Sequence, residues 1–470
     1  MAPSTVVATV YVLALVLIIL DTTIVSVALK SLGDEFDVSV SSIQWVVTGY
    51  LVSLAVWMPA SGWFGDRFGT KRTFLVALGI FTVASSLCGL ARSLPELVAF
   101  RALQGVGGGL LTPVGLTMLW RAYPPERRAA ASRALMIPLA FAPAIGPTLG
   151  GLLIDTASWR WVFLVNVPVG GAALVFGARR LREHREPSAQ GFDVAGFVLA
   201  SLALGSALFA LSEGPDHGWT TARVVVSAIV AAVATALLIA VELRSPAPML
   251  NLRLFGNRLF RITNVVSMFA SGTFIGVLFM VPLMVQTVGG ESALDSGLVS
   301  APHALGVLGA SQLAARAYPR VGPSRLMTAG LLGMAAVLLV MSRINATTPD
   351  AWLYLEMFLL GALYALPIIS LQTSSFASIS SEDTGRASAL YNTQRQVGSA
   401  LGVAVLTTTL TTFLPDDGET AAGHEAFQKV YIVAAALAAT GAFIARLVPD
   451  KEAMSAFRHP EALHEAPNTA

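Results

Sequence analysis

FGDRFGTKRTFLVALG, residues 64–79, places a glycine turn and three cations between two long apolar runs, and it returns in degraded form as AYPRVGPSRLMTAG, residues 317–330. Aligning Gly69 with Gly322 also aligns Arg67 with Arg320 and Arg72 with Arg325, an offset of 253 residues. A second pair keeps almost the same interval. ERRAAASRAL (126–135) and EDTGRASAL (382–390) superimpose Glu126 on Glu382 and Ser132 on Ser388, an offset of 256. Two separate segments at one spacing argue for an internal repeat, and parallel halves of this kind are a transporter architecture.

The composition around these segments is that of a membrane protein. Of the 470 residues, 55% are hydrophobic and 12% charged, with a mean hydropathy of +0.69. A soluble globular chain carries roughly 25% charged residues. The net charge of +2 implies no surface for nucleic acid, and the single cysteine, Cys88, allows neither an internal disulfide nor a CxxC metal site. A helix needs about 20 apolar residues to cross a bilayer. Fourteen such runs occur, near 6–29, 42–63, 73–92, 95–119, 131–154, 161–178, 192–212, 221–243, 261–288, 296–314, 325–342, 351–371, 386–414 and 427–447. The run from Val6 to Leu29 is too long for the apolar part of a cleaved leader, so it is expected to stay as a span.

The expected fold is therefore an all-α polytopic membrane protein of fourteen spans. A six-helix bundle occupies 1–185, two inserted spans 186–250, a second six-helix bundle 251–448 and a tail 449–470. With the N-terminus inside, 22 of the 30 basic residues fall on the cytoplasmic side, which the positive-inside rule favours. Lys30, Arg92, Arg160, Arg223, Arg343 and Lys429 fall outside, and Arg101 and Arg395 lie within spans. Both termini are then cytoplasmic.

The loop SGWFGDRFGTKR (61–72) spaces Gly62, Asp66, Arg67, Gly69 and Lys71 as G-x-x-x-D-R-x-G-x-K. The glycines suit a tight turn and close helix approach, and Asp66 is suited to accept from a helix N-terminus. The alternative reading is that the cations only set topology. In the second half Pro319 stands at the Asp66 position.

The loop resembles the cytoplasmic-loop motif of the major facilitator superfamily, and three further stretches narrow the resemblance to its 14-helix drug:proton antiporters. LDTTIVSVAL (20–29) resembles the first-helix stretch of that family. FRALQGVGGG (100–109) resembles R-x-x-Q-G-x-G, giving Arg101, Gln104, Gly105 and Gly107. APAIGPTLGG (142–151) resembles the antiporter motif, giving Pro143, Gly146, Pro147, Gly150 and Gly151, and WRWVFLVNVPVG (159–170) is also similar to the family. Thr70, Lys30 and Ala142 depart from the usual Arg, Pro and Gly. The resemblance implies two bundles that alternate access to a central cavity. It implies a non-enzymatic, monomeric exporter in a bacterial plasma membrane, driven by the proton gradient and without a cofactor or bound metal. Its partners are the lipid bilayer, protons and a small hydrophobic or amphiphilic substrate such as a drug or antibiotic. Rival readings are export or flipping of an endogenous lipid or secondary metabolite, uptake by symport, and a membrane sensor that transports nothing.

Charges inside the spans carry the candidate chemistry. Asp21 in hydrocarbon costs about 2.5–3.5 kcal/mol on insertion scales. It lies roughly 12 Å from the outer end of its span and Arg101 roughly 9 Å from the same surface, at 1.5 Å per residue. The two depths overlap, so a pair is expected. Either it is a static pair orienting two helices, or a change of separation or hydration switches Asp21 between protonated and ionised. Pro143 and Pro147 favour a kink in the fifth span, and its glycines allow close contact, which suits an interface between moving halves. Glu356, His303 and Arg395 are further candidates for the cavity, each with a packing or interfacial alternative. Phe269, Phe274, Phe279 and Met280 are candidates for its apolar lining. GVGGGL (105–110) has no preceding strand and no G-x-x-x-x-G-K-[ST] occurs, so no nucleotide loop is present. The sequon at Asn345 has no secretory context.

Overall fold

Turns and caps explain where the helices begin. Asp193 and Asn257 cap the helices that follow them, their side chains accepting from Gly196 N (2.8 Å) and Phe260 N (3.0 Å). The computed structural model describes residues 3–122, 145–185, 191–245, 248–345, 348–379, 383–414 and 420–458, and every regular element among them is helical. In chain order the long helices are α1 (Pro3–Phe36), α2 (Trp45–Phe68), α3 (Thr70–Leu90), α4 (Leu94–Ala122), α5 (145–156), α6 (Arg160–Arg180) and α7 (Val194–His217). They continue with α8 (Ala222–Arg244), α9 (Arg258–Thr287), α10 (Ala293–Val321), α11 (Pro323–Met341), α12 (Asp350–Ser375), α13 (Thr384–Phe413) and α14 (Thr420–Ala445). Thirteen of them are long and apolar enough to cross a membrane. The remaining one, α5, coincides with the expected fifth span but is described only from 145; Pro143 lies outside the described residues.

The repeat is visible in the backbone. Gly69 and Gly322, the residues aligned between the two loops, both have left-handed φ, +96° and +91°. That region favours glycine because a Cβ would meet the following carbonyl. Each glycine opens a helix whose first free amides are met by an acid from beyond the sixth helix of its half. Lys71 N and Arg72 N donate to Glu183 at 3.0 and 3.1 Å, and Ser324 N donates to Asp450 Oδ1 at 2.8 Å. The anion at each helix N-terminus is favoured by the dipole. The acid at the start of α3 is thus Glu183, which no local pattern announces.

Packing follows the same symmetry. α4 lies between α2 and α3 while α1 contacts α4 and α6; correspondingly α12 lies between α10 and α11, and α9 contacts α12 and α14. Across the two groups α2 packs on α13 and α1 on α9. The inserted pair packs α7 on α8, and α7 lies along the seam where α2 meets α13, with Trp57 against Phe197 (4.8 Å) and Thr408 Oγ1 donating to Leu211 O (3.1 Å). On α8, Val226, Ile229, Val233 and Leu237 form an exposed apolar stripe at helical spacing, which lipid satisfies.

The helix 4 motif is a packing device. A Cβ on Gly107 would stand 2.6 Å from Ala77 O and 2.7 Å from Phe81 N of α3, and one on Gly105 would stand 2.7 Å from Tyr50 O of α2. Gly107→Val therefore forces α3 off α4. The expected cost is about 1–3 kcal/mol, read as a lowered thermal midpoint in detergent; an unchanged midpoint would refute the contact. Gly62 differs from expectation. It is exposed and a Cβ there would meet nothing within 4 Å, so close packing does not call for glycine at that place.

Candidate functional site

Arg101 and Gln104 stand three residues apart on α4 and so share one face. That face looks at Asp21, near the middle of α1. Arg101 Nη1 lies 2.5 Å from Asp21 Oδ2, and both side chains are buried, 1% and 0% exposed. The same nitrogen donates to Gln104 Oε1 (2.7 Å), while Gln104 Nε2 donates to Asp21 Oδ1 (2.7 Å). Arg101 Nε donates to Val46 O (2.9 Å), and the guanidinium sits over the Tyr50 ring at 4.1 Å. A carbonyl and a ring of α2 and the Gln104 side chain of α4 thus hold the cation, and the carboxylate receives charge-assisted bonds that offset its burial. The expected meeting of Asp21 and Arg101 occurs, with Gln104 as a third member.

A fourth member escaped the sequence reading. Asn166 of α6 is buried, and its Nδ2 donates both to Asp21 Oδ1 and to Ser85 Oγ of α3, each at 3.1 Å. Ser85 Oγ in turn donates to Phe163 O at 2.8 Å. A buried amide in an apolar span was the available signal, since such polar groups are expensive in hydrocarbon. Its partner could not be read, because it lies 145 residues away.

The antiporter-motif residues of α5 face two ways. Cβ atoms on Gly146 and Gly150 would run into Thr23 and Ile24 of α1, and one on Gly151 into Ala293 and Leu294 of α10; Pro147 lies against Gly297. At this same end Lys30 Nζ donates to Gln286 O (2.7 Å), Gln286 Nε2 to Val27 O (3.0 Å) and Leu294 N to Asp155 Oδ2 (3.0 Å). At the opposite end of the molecule, Lys71 Nζ reaches Ala178 O of α6 (2.9 Å), Arg67 is exposed and Asp66 half-buried.

In the second half the candidates stay apart. His303 is buried, with Nδ1 against Ser300 O and its ring edge on Phe274 (5.8 Å), which stacks on Tyr364 (3.8 Å). Glu356 is buried on α12, and its Oε2 has no hydrogen-bond partner among the described residues. Arg395 is half-buried on α13. Among the described contacts no hydrogen bond or ion pair joins these three. Of the expected lining, Phe274, Phe279 and Met280 are buried, and Phe269 packs against Gly441.

Two repeated helix bundles, an added helix pair and an ion pair sealed inside the first bundle define a polytopic membrane carrier. Residues 11–403 match the family model described as Major Facilitator Superfamily. The chain belongs to that superfamily and is a multi-pass membrane transporter. It is 33% identical over 407 residues to "Multidrug resistance protein B homolog" of Mycobacterium tuberculosis, covering 85% of this chain and 75% of that protein. It is 30% identical over 393 residues to "Multidrug resistance protein 3" of Bacillus subtilis, covering 83% and 77%. Among solved structures it resembles a D-xylose-proton symporter (TM-score 0.66, 18% identity, 96% of this chain and 99% of that one) and the human organic anion transporter MFSD10 (TM-score 0.62, 17% identity, 95% and 100%). Those two likenesses concern the fold.

Proposed function

We propose that this transporter exports hydrophobic or amphiphilic organic compounds in exchange for protons, from a bacterial plasma membrane with both chain termini in the cytoplasm. The observation that carries the reading is the sealed Asp21–Arg101–Gln104–Asn166 network. A carboxylate that only oriented α1 against α4 would need one partner, whereas Asp21 is gripped by three donors from two helices at membrane depth. The relatives named as multidrug resistance proteins support the cargo class. Gly151 and Pro147 of α5 lie where the halves meet, against α10, which supports an exchanger whose halves rock. With the basic residues placed inside, Lys30, Gln286 and Asp155 stand at the outer face, so this conformation is closed to the outside. One charge crossing 100 mV supplies about 2.3 kcal/mol, enough to drive accumulation without ATP.

Everted vesicles containing the protein are expected to take up a lipophilic dye when an inward-acid pH gradient is imposed, and to release it on adding a protonophore. Asp21→Asn, expressed to the same level, is expected to lower the gradient-driven rate about ten-fold or more, which corresponds to at least ~1.4 kcal/mol of lost driving interaction. Full activity of Asp21→Asn would sink proton coupling through this residue.

A further inference from the structure

Asp21 cannot take up a proton in the network as it stands. Its Oδ1 accepts from two amide nitrogens, Gln104 Nε2 and Asn166 Nδ2, and its Oδ2 accepts from Arg101 Nη1. Every neighbour is a donor. Both lone pairs of Oδ1 are taken, so a proton added there would point at another hydrogen, and the second lone pair of Oδ2 faces no acceptor among the described hydrogen bonds; a proton is accommodated when one neighbour turns and offers a lone pair. The other titratable groups facing the site, the Tyr50 hydroxyl of α2 and the Cys88 thiol of α3, lie beside Arg101 and Gln104 and make no hydrogen bond to Asp21 among the described contacts.

Elimination leaves one residue. Arg101 has no lone pair to offer, and Val46 O and the Tyr50 ring hold it in place. Gln104 is pinned at its other end: Oε1 accepts from Arg101 Nη1, and turning the amide would set an NH2 against the guanidinium. Asn166 has no such restraint on the face it shows. Its Nδ2 meets Asp21 Oδ1 and Ser85 Oγ. A protonated carboxyl and a hydroxyl can each donate as readily as accept. Half a turn about the terminal torsion of Asn166, which is broad and roughly two-fold, would bring its Oδ1 to the same place. It would then accept from the new Asp21 O–H and from Ser85, whose hydroxyl rotates away from Phe163 O.

We infer that Asn166 is the positioning residue of proton coupling, an amide that turns from donor to acceptor when Asp21 is protonated. The inference rests on the proton-exchange reading above. The step balances simply: a proton from water forms the Asp21 O–H bond and later returns to water on the other side, and no covalent bond of Asn166 or Ser85 changes. The turn also moves hydrogen bonds on α3 and α6. Loading of α1 is thereby transmitted to two further helices of the same bundle.

Two measurements test it. The first is a difference infrared spectrum, between acid and neutral pH, of purified protein carrying isotope-labelled asparagine. A side-chain amide band is expected to move in the wild type and to be absent from both Asn166→Leu and Asp21→Asn. The second is gradient-driven dye efflux. Asn166→Leu is expected to lower kcat about ten-fold at an unchanged KM for the dye, and to lose the proton released when dye is added to unbuffered protein. A wild-type amide band that ignores pH overturns the inference, and so does Asn166→Leu with full kcat and full proton release. If Asn166→Leu fails to fold, the wild-type and Asp21→Asn spectra still decide. Asp21→Asn with full gradient-driven efflux removes the coupling reading itself. Loss in Asp21→Asn together with full function in Asn166→Leu removes only the role of Asn166.

Discussion

Arg101→Leu is expected to cost about 3–5 kcal/mol of stability, seen as a large drop in the thermal midpoint of the purified protein. The substitution leaves Asp21 fully buried with two amide donors and no cation. Removing one member of a buried pair strands the other charge, and that cost exceeds what the pair itself contributes. The double variant Asp21→Leu/Arg101→Leu is therefore expected to recover most of the loss. Recovery is incomplete because Val46 O and the amides of Gln104 and Asn166 lose partners, at about 1 kcal/mol for each group left unpaired. A double-mutant cycle should show coupling of at least ~2 kcal/mol. A single variant as stable as wild type would refute the buried pair. Transport separates the two readings of Asp21. A static strut predicts that the double variant regains transport with its stability, whereas a titrating acid predicts a stable and inert protein.

The second large effect is expected at a charged contact between the halves. Lys30 on α1 meets the Gln286 carbonyl near the end of α9, and Asp155 near the end of α5 meets the Leu294 amide at the start of α10. The first half thus supplies a cation to a helix C-terminus and an anion to a helix N-terminus, both signs favoured by the macrodipole. Lys30 is half-buried and Asp155 exposed, so Lys30 dominates. Its charge-assisted bond contributes about 1–2 kcal/mol to this closed arrangement. Lys30→Met combined with Asp155→Asn should shift the population towards the arrangement open at this end by about ten-fold. Val27 is fully buried beneath Gln286. A cysteine placed at Val27 should accordingly react about ten times faster with a membrane-impermeant maleimide in the double variant. Equal reaction rates would dismiss the clamp.

Lys30 illustrates how far local patterns reach. It is visible in the sequence as a departure from the proline usual in similar chains and as one of the few cations outside. Its partner is the backbone carbonyl of Gln286, 256 residues on, and a carbonyl leaves no mark in composition. Glu183 and Asp450 are similar. Both are ordinary polar residues after a span, and only the fold brings each against the glycine turn of its half. Gly62 shows the opposite error, a motif glycine whose spacing suggested close packing and whose surroundings are open.

The sequence by itself determined that this chain is a polytopic helical membrane protein, that its halves repeat, and that Asp21 and Arg101 lie at one depth. These follow from quantities written locally: apolar run length against bilayer thickness, the spacing of turn glycines, and the rise of a helix per residue. Tertiary structure alone decided that Gln104 and Asn166 complete the Asp21 site, that Glu183 and Asp450 cap corresponding helices, and that Lys30 and Asp155 bond across to the second half at one end. Hydrogen bonds are short-ranged and directional, so which donor meets which acceptor is settled only when helices distant in the chain are packed face to face.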